Sequence, residues 1–499
     1  MIKVVRRILP VARRSLVNRA VLASALSASL LLSTVTAATA AGRTPTWAAC
    51  GPEQQADCTT VTVPVDWAKP GGPTINLEVT RRRADPAKRL GVLFFGDGGP
   101  GGRSADAVKG AGLLDAGLTE KYDLVGVNAR GLGKGYELNC PAPATAERRL
   151  PATEAEFAGL RKDNRSFGAS CQARSGAVYA HLDTASNARD LDAVRAALGE
   201  EKAGYYGVSY GTLLGQQFAE LFPQRVSRMV LDSSMDHSQP DARSFMVSEA
   251  AGAERDFDRF TGWCAADASC ALHGRDVRAL ITGLQQRADR GELRDVNGAA
   301  LTPLTLNGIV SGGRSLWAHT ATELQQLADT GRSGESNITA PWADNAHTIL
   351  CQDWNLNIRD LADLKSIVDD VQRAAPMTRL SGYAAMGIGC IGQPVSTVNP
   401  PAAAGPQPTQ ALVLNARYDH ATVYPWAQNL TRQTGWTLLT YDDGGHGMYF
   451  TSYCMKRAAD DYLLTGRLPA AGTECAREPQ SRQRPEPEPE PEPEKSVWF

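Results

Sequence analysis

Gly204-Tyr205-Tyr206-Gly207-Val208-Ser209-Tyr210-Gly211-Thr212 joins a short apolar strand, Gly204 to Val208, to a helix that runs from Thr212 to Phe222. The five residues at the join, Gly207 to Gly211, read G-x-S-x-G. Between a buried strand and an amphipathic helix this pattern is a nucleophile elbow, a turn so tight that the serine is strained and its hydroxyl is thrust outward. The flanking glycines let neighbouring backbone approach where a Cβ would stand in the way. In other contexts the same five residues are an ordinary turn.

Working outward from the elbow, the chain alternates strands with helices. Val226 to Leu231 follows the elbow helix as a strand. Upstream, Thr184 to Leu198 has helical spacing, with Leu191, Val194, Arg195 and Leu198 three and four apart and Asp183 or Thr184 placed to cap its start. Tyr122 to Val127 and Leu90 to Phe95 are further buried strands. Thr59 to Val65 and Thr74 to Arg81 form an antiparallel hairpin across the turn Lys69-Pro70-Gly71-Gly72-Pro73. Downstream, Ala411 to Asn415 and Thr437 to Tyr441 complete the pattern. Strand, helix, strand units this short imply parallel pairing by right-handed crossovers, so the fold class is α/β with a mostly parallel sheet flanked by helices.

A serine hydroxyl is a poor nucleophile at neutral pH, and Ser209 therefore calls for a histidine base and a carboxylate to orient it. Of seven histidines, His446 alone sits in a glycine-rich loop after a strand, Asp442-Asp443-Gly444-Gly445-His446-Gly447. The acid belongs after the preceding strand, where Asp419 stands, giving the chain order Ser, Asp, His. Asp232 and Asp236, just past the strand Val226 to Leu231, are the competing acids, and His420 is the competing base. The other histidines (181, 237, 273, 319 and 347) read as structural or surface groups. Acyl transfer also needs donors aimed at an oxyanion. The backbone N–H of Tyr210, at the helix start where donors are unsatisfied, is one; the loop Gly96-Asp97-Gly98-Gly99-Pro100-Gly101-Gly102 supplies the other, at Gly99. That loop has neither G-K-[ST] nor a helix-leading G-x-G-x-x-G, which excludes a phosphate cradle.

The 499 residues carry 52 basic and 54 acidic side chains, a net charge of −2. With no basic patch, a nucleic-acid partner is excluded. Met1 to Arg19 is basic, Ala20 to Ala37 apolar, and Ala38-Thr39-Ala40 small, the order of a secretory signal peptide over 1–40; a retained membrane anchor is the alternative, and Arg13-Arg14 loosely suggests a twin-arginine export signal. All ten cysteines lie beyond that cut, which favours disulfides in an exported chain. Consecutive pairing closes each loop locally: 50 with 58, 140 with 171, 264 with 270, 351 with 390, and 454 with 475. No C-x-x-C or H-E-x-x-H occurs, so no metal is expected. Pro485 to Glu494 alternates Pro and Glu and reads as an extended, solvated tail over 479–499.

The Gly-Gly-Pro-Gly loop at 98–101, the Gly-Val-Ser-Tyr-Gly-Thr elbow at 207–212 and Gly-Gly-His-Gly at 444–447 resemble those of the secreted tripeptidyl aminopeptidases, relatives of proline iminopeptidase within the α/β-hydrolases. The resemblance extends to Val63-Pro64-Val65-Asp66, Asp190 to Arg195, Cys351-Gln352-Asp353, and Tyr462 to Pro469 through Cys475. It implies an α/β-hydrolase fold, Ser209, Asp419 and His446 as a triad, and Gly99 with Tyr210 as the oxyanion hole. It implies no cofactor. Two segments depart from the family's pattern: Asn128 and Lys134-Gly135 replace parts of Asp-x-Arg-Gly-x-Gly-x-Ser, and Asp97 stands where relatives carry His or Pro. An ionised carboxylate in the hole opposes an oxyanion, so Asp97 is expected to point away, toward Arg103.

The organisation expected is a hydrolase core over 41–237 and 399–478, with a largely helical cap over 238–398. An aminopeptidase must hold a cationic α-amine, and a cap carboxylate is the natural partner: Asp353 first, then Glu249 and Glu254. The expected protein is a monomeric enzyme, secreted or held at the cell envelope and free of the membrane after signal removal. Its expected partners are peptides with a free N-terminus. A carboxylesterase or lipase on the same triad is the alternative enzyme, and a binding protein on an inactive scaffold the alternative of another class.

Overall fold

Among the described residues, ten strands form one sheet: β1 Ala48–Ala49, β2 Asp57–Pro64, β3 Thr74–Arg82, β4 Gly91–Gly96, β5 Tyr122–Val127, β6 Ala203–Val208, β7 Val226–Asp232, β8 Ala411–Tyr418, β9 Thr437–Gly444 and β10 Glu474–Cys475. Their order is β1-β2-β3-β5-β4-β6-β7-β8-β9-β10. β1, β2, β3 and β5 pair antiparallel in succession, and every pair from β5 to β10 is parallel. This computed structural model describes residues 45–51, 55–133, 136–141, 150–310, 313–334, 344–380 and 382–478. The expected signal peptide 1–40, Lys134-Gly135 and the expected tail 479–499 lie outside the described residues.

The burial of each strand follows from its place. β2 and β3 alternate buried and exposed residues toward the edge, whereas β4, β5 and β6 are buried at every residue. In β4 the side chains part by two: Val92 and Phe94 enter a core with Tyr205, Met229 and Val413, while Leu93 and Phe95 enter a core on the opposite face with Tyr206, Val230 and Leu412. The helices Thr184–Ala197, Tyr210–Leu221 and Tyr424–Thr434 cover the first face and Tyr453–Thr465 the second. This is the α/β-hydrolase fold.

Three of the family-like segments that carry no chemistry meet at Arg130, which is fully buried. Its Nε and Nη2 bind the two oxygens of Asp190 at 2.8 Å each, and its remaining donors reach the carbonyls of Pro64 (3.0 Å), Val65 (2.7 Å) and His181 (3.0 Å). Trp67 Nε1 also donates to Asp190 at 3.0 Å. A buried ion pair stands only when its remaining hydrogen-bond groups are matched, and here they tie the hairpin to the crossover helix.

Between β7 and β8 lie the cap helices Ala242–Ala266, Val277–Asp289, Pro303–Val310, Trp317–Thr330, Asp344–Asp353, Leu361–Ala374 and Gly382–Cys390. Part of the cap has its own core of Phe257, Phe260, Leu284, Leu301, Trp317 and Leu324. All five expected disulfides are present: Cys50–Cys58, Cys140–Cys171, Cys264–Cys270, Cys351–Cys390 and Cys454–Cys475. Among the described residues no helix is long and apolar enough to cross a membrane.

Candidate active site

The elbow helix begins at Tyr210, two residues earlier than its hydrophobic spacing predicts, because Ser209 itself is the N-cap at φ 57°, ψ −125°. A non-glycine residue at positive φ is strained and must be held from outside. Ser209 N–H donates to the carbonyl of Asp232 on β7 (2.9 Å), and its own carbonyl accepts from Thr212 N–H (2.9 Å) and Thr212 Oγ1 (2.6 Å). The glycines around it leave no room for side chains. A Cβ on Gly211 would stand 2.2 Å from the carbonyl oxygen of Gly96, and one on Gly98 3.1 Å from Ser209 Cβ. The loop after β4 therefore lies directly against the serine.

β8 and β9 run three residues further than expected, to the pair Tyr418↔Gly444, and the loops that follow carry Asp419 and His446. His446 Nδ1 lies 3.0 Å from each oxygen of Asp419. Asp419 is 1% exposed and also accepts from Ala421 N–H, Thr422 N–H and Thr422 Oγ1, all at 2.9 Å. Burial pushes the Asp419 carboxyl up, but the charge and hydrogen bond of His446 outweigh it and the pKa falls below the usual value. Burial likewise opposes a charged His446; Asp419, and beyond it Asp232, more than offset this and hold the imidazole above its ordinary pKa.

The competing acids are engaged elsewhere. Asp232 accepts from Met448 N–H, Tyr449 N–H and Tyr206 OH, each at 2.8 Å, and Ser233 Oγ accepts from Gly447 N–H at 2.8 Å. The end of β7 thus anchors the three residues after His446, while the Asp232 carbonyl holds Ser209. Hydrophobic patterning gave no hint of this part; the only signal was an Asp-Ser pair at a strand end. Asp236 binds Ser238, Gln239 and Asn429. His420 is not the partner of Asp419: its ring stands edge-on to His446 with centroids 5.9 Å apart, and burial pushes its pKa down to about 4. Its Nδ1 is buried with no partner among the described residues.

Gly99 has φ 111°, open to glycine alone, and is exposed at the loop surface. Its N–H and that of Tyr210 make no hydrogen bond among the described residues. Asp97 does not turn toward Arg103 as expected. Its Oδ1 accepts from Gly98 N–H at 2.7 Å, while Arg103 pairs with Asp106 (2.5 Å) and Glu78 (3.8 Å). Asn128 accepts from Ala105 N–H (3.0 Å) and donates to Glu78 (3.0 Å), a pairing that an ionised aspartate at 128 could not make.

The three amine-site candidates part company. Asp353 is fully buried behind the elbow helix, where its oxygens accept from Thr184 N–H (2.8 Å), Thr184 Oγ1 (2.5 Å) and Asn399 Nδ2 (2.8 Å). It has no exposed surface, and burial pushes its carboxyl up to about 7. The expectation that Asp353 faces the pocket is corrected: a Cys-Gln-Asp match in sequence marked a structural hydrogen-bond centre. Glu254 turns into the cap, accepting from Met377 N–H, Thr378 N–H and Thr378 Oγ1. Glu249 differs from both. It is 3% exposed, its Oε2 is buried with no partner among the described residues, and burial pushes its carboxyl well above the usual range. One turn further along the same helix, Gly252 packs against Val423 and the carbonyl of Asp419. Among the described residues, no cluster of three or more His, Cys, Asp or Glu is placed to hold a metal ion.

The arrangement is that of a serine hydrolase, and similarity to known proteins agrees. The family model described as "TAP-like protein" matches residues 378–475. The tripeptidyl aminopeptidase of Streptomyces lividans is 32% identical over 455 residues, 84% of this chain and 83% of that protein. Serine protease Hip1 of Mycobacterium tuberculosis is 28% identical over 464 residues (84% and 87%), and carboxylesterase B of the same organism 30% over 456 (84% and 86%). The chain belongs to the α/β-hydrolase superfamily, among the tripeptidyl aminopeptidase- and Hip1-like serine hydrolases.

Proposed function

We propose that this chain is an exported serine exopeptidase that releases short peptides, tripeptides by its resemblance, from the free N-terminus of peptide substrates. Ser209 attacks the scissile carbonyl, and His446 takes its proton and passes it to the leaving amine. Asp419 holds the imidazole with Nδ1–H toward itself and Nε2 free. The N–H groups of Gly99 and Tyr210 receive the oxyanion. Water, activated by the same histidine, then hydrolyses the acyl-enzyme. This chemistry calls on no cofactor. The five disulfides and the leader-like N-terminal sequence support export.

One observation carries the exopeptidase reading: the unmatched carboxylate oxygen of Glu249 on the cap helix beside Asp419. A buried carboxyl without a donor is costly to ionise, and a substrate α-ammonium supplies both the missing donor and the compensating charge. Cleavage of esters is the second reading, favoured by the likeness to carboxylesterase B.

The test is a panel of chromogenic substrates: a free-amine tripeptide amide, its N-acetylated twin, a single proline amide and a short-chain ester, with Ser209→Ala as control. The expected result is turnover of the free tripeptide that is lost on acetylation. Ester cleavage without amide cleavage overturns the peptidase reading.

A further inference from the structure

The segment from Asp97 to Gly102 lies against the nucleophile, and its backbone donors can be accounted for one at a time. Asp97 N–H donates to Ser104 Oγ at 3.0 Å, Gly98 N–H to the Asp97 carboxylate at 2.7 Å, and Gly102 N–H to the Gly98 carbonyl at 3.0 Å. Pro100 has none. Only Gly99 and Gly101 keep a free N–H among the described residues. Of the loop residues, Gly98 is the one whose Cα faces Ser209, with a Cβ position 3.1 Å from Ser209 Cβ and 3.5 Å from Oγ. Its N–H is the natural rival of Gly99 for an oxyanion, and it is withdrawn by the side chain of the residue before it.

The carboxylate is built into this place. A Cβ on Gly102 would stand 2.6 Å from Asp97 Cγ, so the group packs on bare backbone. Among the described residues no cation balances it. Arg103 is committed to Asp106 and Glu78, and the Asp190 that shares the small cavity behind the loop is held by Arg130. Tyr205 OH is spent on the Gly211 carbonyl, and Tyr210 OH on Thr184. Burial without a counter-charge pushes the Asp97 carboxyl up to about 6. A half-buried carboxylate retained against that cost points to a task done through the one side-chain hydrogen bond it makes among the described residues.

We propose that Asp97 is a positioning residue of the oxyanion loop: by holding Gly98 N–H, it fixes the Asp97–Gly98 peptide and withdraws that donor, so that Gly99 N–H, on the next peptide unit, is the loop's donor beside Tyr210 N–H. The proposal rests on the reading of Ser209 as an acyl-transfer nucleophile with Gly99 in its oxyanion hole. An oxyanion donor acts in the transition state alone, so mispositioning it lowers kcat and leaves KM in place.

The test measures kcat and KM on the short-chain ester, which needs no amine site, for the wild type, Asp97→Ala, Asp97→Asn and Ser209→Ala. Asp97→Ala is expected to lower kcat tenfold or more with KM within twofold. Asp97→Asn keeps a carbonyl oxygen for Gly98 N–H and is expected to stay within threefold of wild type. Where Asp97→Ala does not fold, Asp97→Leu, which keeps the volume and drops the acceptor, carries the same comparison. A kcat within twofold of wild type in the acceptor-less variant overturns the proposal, as does an Asp97→Asn variant that falls as far. Turnover surviving in Ser209→Ala overturns instead the reading of the nucleophile.

Discussion

The strand ends of β6 to β9 satisfy one another, whereas the cap helix Ala242–Ala266 that lies over them is satisfied only in part, with Arg259 Nη2 paired to Asp443 of β9. At the strand ends Asp419 is matched by His446, Ala421 and Thr422, and Asp232 by Met448, Tyr449 and Tyr206. On the cap helix Glu249 Oε2, Asp256 Oδ1 and Arg259 Nη1 are buried without partners among the described residues. Glu249, Gly252, Asp256 and Arg259 are spaced by three and four, so they share one face. A Cβ on Gly252 of that face would stand 3.6 Å from the Asp419 carbonyl, while Glu254 is bonded to Met377 and Thr378. Under the proposed function the difference is one of task. Groups that stabilise charge during a reaction must be held in advance. Groups that recognise a substrate are completed by it.

The sharpest break of this comparison is at the nucleophile. Ser209→Ala should abolish labelling by a fluorophosphonate probe and lower turnover by at least about a thousandfold; residual turnover near wild type would show that the matched strand ends are only structural. The unmatched face is tested next. Glu249→Gln should lower kcat/KM for a free-amine tripeptide amide by about 10- to 100-fold, the range of one charge-assisted bond. It should leave the ester unchanged. Equal losses on both substrates would make Glu249 a packing residue, as Asp353 and Glu254 are.

Asp232 sharpens the matched side. A neutral His446 is the working base, so activity falls as pH drops through its pKa. The Asp232 charge helps to hold that pKa up, after Asp419. Asp232→Asn should therefore move the acid limb of the kcat/KM profile to lower pH, by about half a unit to one unit. The smallest effect belongs to Asp256, whose carboxyl burial pushes to about 7. The folded state keeps a proton that the unfolded chain releases near 4, so this group's stabilising contribution is present below about pH 4 and lost as pH rises through 7. Asp256→Asn removes that dependence. Its melting temperature should exceed wild type at pH 8 by about 2–4 °C and draw level at pH 4, as thermal melts at the two pH values would show.

Much of this molecule was legible along the chain because its signals are local. Strand β5 ends where the apolar run Tyr122 to Val127 ends, and the helix Thr184–Ala197 starts at its Asp183 cap. Boundaries slipped where tertiary contacts set them, as at Tyr210, where the strained Ser209 became the helix cap, and at Tyr418 and Gly444, which extend each other's strands. The amine-site candidates slipped most. Three buried acids in helices look alike in sequence, and nothing local tells which one lacks a donor.

What the sequence by itself determined is the alternation of strands and helices, the elbow, and the chain order of Ser209, Asp419 and His446, because periodicity, glycine placement and short loops act between near neighbours. What only the tertiary structure decided is which polar groups meet. That Asp419 rather than Asp232 faces His446, that Asp97 turns to Gly98 rather than Arg103, and that Glu249 alone of three acids is left unmatched depend on groups brought together from distant parts of the chain. A buried polar atom is defined by the partner it has or lacks, and that partner is fixed by the fold.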